Sequence, residues 1–279
     1  MKFADPKNDL AFKKIFGNEN KKEILISFLN SVLDFKDEKT IVEVTLDNPY
    51  QLPDIKELKE TILDIKATNQ NGDNFIVEMQ KKDLSNFAKR SLYYTSKAYV
   101  SQIEKGEDVI NLKKVYYIAI LNFNMFKNKN YISRHLIINQ ETTTQDLKDF
   151  EFTFIELKKF NTKLEDLNTS IDKWIYFINN ASSFDLIPKE YEDIKEFQEA
   201  FQIANKYSWN KKELEYYDSM DLKQADDKNA LETARVKAKK ENSIEIAKKS
   251  LEQGLDLETI KIITGLTDTE LVNLTNRRR

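Results

Sequence analysis

The stretch from Glu60 to Gln80, ETILDIKATNQNGDNFIVEMQ, constrains the fold more than any other part of the chain. Apolar and polar residues alternate on both sides of Asn71 and Gly72, which is the period of a half-buried strand rather than a helix. Leu63, Ile65 and Ala67 form an apolar face on the first strand, opposite Ile62, Asp64 and Lys66. On the second strand Phe75, Val77 and Met79 are apolar, opposite Asn74, Ile76, Glu78 and Gln80. One face of the hairpin therefore meets a core, and the other gathers Asp64, Lys66, Glu78 and Gln80.

Register decides whether those four residues meet. A tight Asn71–Gly72 turn would pair Asp64 with Met79 and scramble the faces, because a one-residue slip flips every side chain. A loop of Gln70, Asn71 and Gly72, with Gly72 left-handed, pairs Asn69 with Asp73 and so Asp64 with Glu78. This register keeps both faces clean and is the one expected. Carboxylates directly opposite have Cβ atoms about 5 Å apart. They repel unless a cation lies between them or one is protonated. Mg²⁺ or Mn²⁺, bound through oxygen, would resolve the conflict. Without such an ion, loss of either carboxylate should stabilise the fold. The same residues also suit an ordinary solvated strand face with Lys66 paired to an acid, and spacing alone favours that reading.

Composition narrows the chemistry further. The chain has no Cys, one His (His135) and five Gly, no two of them close. Disulfides, thiolate metal sites, Cys nucleophiles and multi-His metal sites are excluded, and no phosphate-binding glycine loop can be built. Catalysis would have to use carboxylates, amides, lysines and a hard metal ion. With 44 Lys+Arg against 47 Asp+Glu, a net −3, polyanion binding requires a local basic patch. The first ten residues carry no apolar run, and the longest apolar stretch, 115–121, is too short to span a membrane. A cytoplasmic protein without membrane contact is expected.

Along the chain, periodicity predicts a first helix capped by Asp5 or Asn8 and carrying Phe12, Ile15 and Phe16. A second helix should bury Ile24, Leu25, Phe28, Leu29 and Val32. Strands are expected over 40–46, 61–68 and 74–80, with a turn at Asn48 and Pro49. A helix over 84–105 then leads to buried-type strands over 114–121, 131–138 and 150–157. Only helices follow: 162–179, 191–207, 211–253, 257–264, and 268–274 with Thr267 as cap. The expected division is a core over 1–160, a helical extension over 161–243 and a small helical element over 244–279.

Asp64, the hairpin and Glu78-Met79-Gln80 resemble the D…(E/Q)xK signature of the PD-(D/E)XK nuclease superfamily. More specifically, the chain resembles the Rpn family of recombination-promoting nucleases, also labelled transposases. DLAFKKIFG over 9–17 is similar to that family's opening motif, and LDIKA over 63–67 with VEMQ over 77–80 to its catalytic hairpin. Arg90, Tyr93, Tyr94 and Tyr99 fall in the helix that follows, and Ile246 to Leu266 resembles the C-terminal element.

The resemblance implies an α/β, restriction-endonuclease-like mixed sheet flanked by helices, with an all-helical C-terminal extension. It also implies metal-dependent DNA cleavage of low sequence specificity, linked to recombination, mobile elements or phage defence. Asp64 and Glu78 would hold Mg²⁺ or Mn²⁺, with Asp9 either a further ligand or simply a first-turn carboxylate. Gln80 stands where the superfamily usually has Lys. An amide can orient water but carries no charge. Lys66 would supply that charge or sit in a salt bridge. Lys82, Lys89, Arg90 and Lys97 are candidate phosphate contacts. The second reading is a nuclease-fold module that binds DNA or a protein without cutting. The terminal helix pair resembles a helix-turn-helix, but Lys261 is the one basic residue in 255–274, which favours docking or self-association over groove reading.

Overall fold

A computed structural model describes residues 2–47, 65–83, 86–103 and 108–276, the side chains at 224, 228, 275 and 276 excepted. Helix α1 (Asp9–Phe16) starts where the Asn8 side chain accepts the Leu10 N–H at 3.0 Å, and it buries Phe12, Ile15 and Phe16. Helix α2 (Lys22–Leu33) buries Ile24, Leu25, Phe28, Leu29 and Val32 and stops at Asp34, whose φ of 52° is left-handed. Together these helices cover one face of the sheet.

The sheet contains β1 (Val44–Leu46), β2 (Ile65–Asn69), β3 (Asn74–Gln80), β4 (Val115–Leu121), β5 (Ile132–Leu136) and β6 (Phe150–Glu156), in the order β1-β2-β3-β4-β6-β5. β1, β2 and β3 run antiparallel, β3, β4 and β6 parallel, and β5 antiparallel to β6. Central β4, VYYIAIL, is buried at every position, because helices cover both of its faces. The parallel step from β3 to β4 passes through α3 (Phe87–Val100), which lies on the face opposite α1 and α2. Val77, Met79, Ile118 and Ile120 point to the α1–α2 side, and Ile76, Tyr117, Ala119 and Leu121 to the α3 side. This is the mixed α/β sheet with an all-helical C-terminal region that the sequence led us to expect.

Several boundaries differ. β5 was expected to be buried, yet its His135 and Leu136 are exposed, because among the described residues it pairs with β6 alone, at the edge of the sheet. β1 begins four residues later than the alternation suggested, at Val44. The turn at 48 and 49 lies outside the described residues. The fourth helix, α4 (Ser170–Asn180), starts only at the Thr169–Asp172 capping box. The single helix expected over 191–207 is two, α5 (Lys189–Glu192) and α6 (Lys195–Ala204), broken at Asp193 and Ile194.

Helices α4 to α6 bury Trp174, Phe177, Phe197 and Phe201 in the same core as Phe16 and Phe28. Trp174 is 5.5 Å from Phe16 between ring centres, and its Nε1–H donates to Ser27 Oγ at 3.2 Å. The chain forms two compact units, 1–217 and 218–279. Helix α7 (Lys211–Glu252) begins in the first and continues into the second. In the second unit Ala247 packs with Ile260 of α8 (Leu257–Thr264) and Leu271 of α9 (Asp268–Asn276). Among the described residues no helix is long and apolar enough to cross a membrane.

Candidate active site

The hairpin has the expected register. Ile65 pairs with Val77, Lys66 with Ile76 and Thr68 with Asn74, and the Asn69 N–H donates to Asp73 O at 3.0 Å. The loop is Gln70, Asn71 and Gly72, with Gly72 at φ +84°. Asn69 sets its shape: its side-chain oxygen accepts the N–H groups of Asn71 and Asp73 at 3.0 and 2.9 Å. Asp64, one position before the first described residue of β2, lies outside the described residues.

Glu78 is not on a solvated strand face. It is 4% exposed, because α3 lies over the side of β3 that it shares with Ile76. Arg90 Nη2 donates to Glu78 Oε1 at 3.1 Å, and the Tyr117 hydroxyl donates to Glu78 Oε2. Tyr117 reaches it because β3 and β4 are parallel and pair Ile76 with Tyr117, which sets the two side chains on one face. Burial pushes the Glu78 carboxyl above its usual range, against the hydrogen bond from Tyr117 and the Arg90 charge. Burial, with the neighbouring Glu78 charge, pushes the Tyr117 phenol far up, so it remains a donor. A cation therefore already stands beside Glu78, and it is a guanidinium.

The other sequence-predicted residues are spread around this centre. Gln80 ends β3 half-exposed, its amide nitrogen donating to Lys82 O at 2.9 Å. Lys66, diagonal to Glu78 in the strand pair, lies beside Asp47, whose backbone N–H donates to Lys66 O at 3.0 Å. Burial raises the Asp47 carboxyl, and the Lys66 charge opposes that rise. Sequence reasoning missed Asp47. Its signal was the alternation of β1 carried one step past Leu46, which sets residues 45 and 47 on the Lys66 side.

Asp9 occupies the first turn of α1, a helix packed on the Val77 and Met79 side of the sheet, and its charge bears on Tyr216. Lys82, Lys89 and Lys97 are exposed. Arg90, grouped with them as a phosphate contact, turns inward instead, to Glu78 and the rings of Phe87 and Tyr94. His135 lies tilted against Phe126 and edge-on to Phe154, with ring centres 4.8 and 5.3 Å away.

Among the described residues no three acids or imidazoles converge on a metal position. The donors present are nevertheless of the right kind: the Glu78 carboxylate and the Gln80 amide oxygen are hard oxygen ligands, two residues apart on one strand face. The Arg90 guanidinium is the positive charge that sits against Glu78.

In the second unit, α8 starts at an Asp256 cap and ends at Gly265, φ +67°. Lys261 donates to both carboxylate oxygens of Asp268 at 2.7 Å. Residues 6–234 match the family model described as PD-(D/E)XK nuclease family transposase. Residues 240–276 match the one described as Rpn/YhgA-like nuclease family, C-terminal HTH domain. No curated protein and no solved structure matches the chain.

Proposed function

The chain belongs to the PD-(D/E)XK nuclease family transposases, and from that premise we propose that it is a metal-dependent DNA endonuclease of low sequence specificity. Its setting would be recombination, mobile elements or phage defence. The observation that carries the reading is the hairpin register. Lys66 and Ile76 pair as the sequence requires, and the same count along the sequence would bring Asp64 to Glu78, with Gln80 two residues beyond Glu78 on its strand face. Asp64 and Glu78 would hold Mg²⁺ or Mn²⁺, with Asp9 the weaker candidate because α1 lies on the other face of the sheet. When bound, the ion would polarise the scissile phosphate and lower the pKa of its water.

The protein's own groups would do the rest. Gln80 can orient that water or a phosphate oxygen through its amide. Lys66 can add positive charge on the same face, shared with Asp47. Exposed Lys82, Lys89 and Lys97 would contact phosphates along the DNA without reading its sequence. The HTH match supports a DNA partner for the C-terminal unit. With Lys261 held by Asp268, however, α8 and α9 are better suited to docking or self-association than to groove reading.

The engagement of Glu78 by Arg90 and Tyr117 favours one alternative, a nuclease-fold module that holds DNA or a protein without cutting. Nicking of supercoiled plasmid with Mg²⁺, tested with and without EDTA, separates the two. Nicking that EDTA abolishes supports the enzyme, and plasmid binding without nicking supports the module.

A further inference from the structure

A buried carboxylate without a cation is costly, and Glu78 has its cation in Arg90. The two partners differ in how firmly they are placed. The Glu78 side chain is 6% exposed, whereas that of Arg90 is 28% exposed, at the solvent side of the pair. The contact is a single hydrogen bond from Nη2 to Oε1 rather than a two-pronged fork. The guanidinium also has a second resting surface, lying 5.8 Å from the Phe87 ring centre and 5.6 Å from that of Tyr94. Arg90 can therefore leave Glu78 without losing all its contacts, and Glu78 cannot follow it into water. Tyr117 holds the other carboxylate oxygen through a neutral hydroxyl and does not compete for charge.

We propose that Arg90 is an internal counter-ion that occupies Glu78 in the metal-free protein and is displaced when a divalent cation binds, so that it sets the metal affinity of the site. This inference rests on the metal-dependent reading above. It makes Arg90 a positioning residue that acts through Glu78, not a phosphate contact. Holding the carboxylate in place, paired and dry, keeps the site from collapsing between rounds of metal binding. The cost is a weaker apparent affinity, since each ion must displace a guanidinium.

The test is calorimetric titration of the EDTA-stripped full chain with Mn²⁺, comparing wild type, Arg90→Gln and Arg90→Lys. A neighbouring cation changes a carboxylate's affinity for a proton by roughly 10- to 1,000-fold. Removing the competing charge should therefore tighten Mn²⁺ binding by at least about tenfold in Arg90→Gln, read at alkaline pH so that the proton the variant's carboxyl holds more firmly does not take the guanidinium's place as competitor. Arg90→Lys, which keeps the charge, should stay near wild type. If Arg90→Gln does not fold, Arg90→Met keeps the aliphatic stem on Phe87 and Tyr94 and should show the same tightening.

Equal or weaker Mn²⁺ binding by the uncharged variants overturns the displacement while leaving the metal-dependent reading intact. Arg90 would then orient Glu78 for the ion. No Mn²⁺ binding by any variant or by wild type overturns both. A merely structural Arg90 would lower the melting temperature of the metal-free variants without moving the dissociation constant.

Discussion

Replacing Glu78 with Ala in metal-free protein gives the clearest energetic forecast. Two carboxylates facing each other without a cation would make this change stabilising. The structure reverses that sign, because Arg90 already neutralises Glu78 and Tyr117 donates to it. Alanine would leave the Tyr117 hydroxyl buried without its acceptor, which costs about 1–3 kcal/mol. Arg90 is partly exposed and can recover water, so its own loss adds little. Relief from burying the carboxyl, whose pKa is raised, offsets part of this. The net expectation is a destabilisation of about 1–2 kcal/mol, read from urea unfolding at pH 7 in EDTA. Glu78→Gln keeps an oxygen for Tyr117 and should cost less than about 1 kcal/mol.

The pH dependence tests the offsetting burial cost separately. A carboxyl raised in the folded state contributes stability that is fully present below its ordinary value of 4.5 and is lost as pH rises through the folded value. Wild type should therefore lose ground against Glu78→Gln as pH rises from 4 toward neutral. A Glu78→Ala protein as stable as wild type would rule out this role for Arg90 and Tyr117, and a wild-type advantage that grows with pH would rule out the raised carboxyl.

Other expectations follow from the same geometry. Gln80→Lys restores the superfamily's charge at the end of β3 and should preserve or raise nicking; a folded variant that binds metal without activity would show that the amide has a specific role. A chain ended at Tyr217 keeps the whole first unit and should unfold in one cooperative transition, and its loss would make the C-terminal unit part of the main fold. Gly72→Ala should cost about 1–2 kcal/mol in thermal unfolding, since φ is +84° and a Cβ would stand 3.3 Å from the Lys113 stem; an unchanged melting temperature would contradict that.

The hairpin was legible because a period of two admits only one clean register with a loop ending in Gly72. The helices α1 and α2 were legible because Phe12, Ile15, Phe16, Ile24, Phe28 and Val32 recur at helical spacing. The partners of Glu78 were not. Arg90 is twelve residues away on a helix, and Tyr117 thirty-nine away on a parallel neighbour, so both contacts depend on tertiary packing. One hint existed: VYYIAIL is otherwise apolar, and a tyrosine buried in such a strand needs an acceptor for its hydroxyl. The exposure of β5 was hidden for a related reason, since strand order, not local composition, makes it an edge. The break between α5 and α6 was lost because Tyr191, Ile194, Phe197 and Phe201 recur at steps of three, three and four across it.

If Asp64 and Glu78 act together on phosphodiester bonds, plasmid nicking will show it. Wild type, Asp64→Ala, Glu78→Ala and the double variant, each verified as folded by circular dichroism, would be incubated with supercoiled plasmid and Mg²⁺. Wild type should nick and lose that activity in EDTA. Both single variants should be inactive, and the double variant no worse than either, because residues acting as one unit do not add. Wild-type-like nicking by the folded double variant would contradict the assignment.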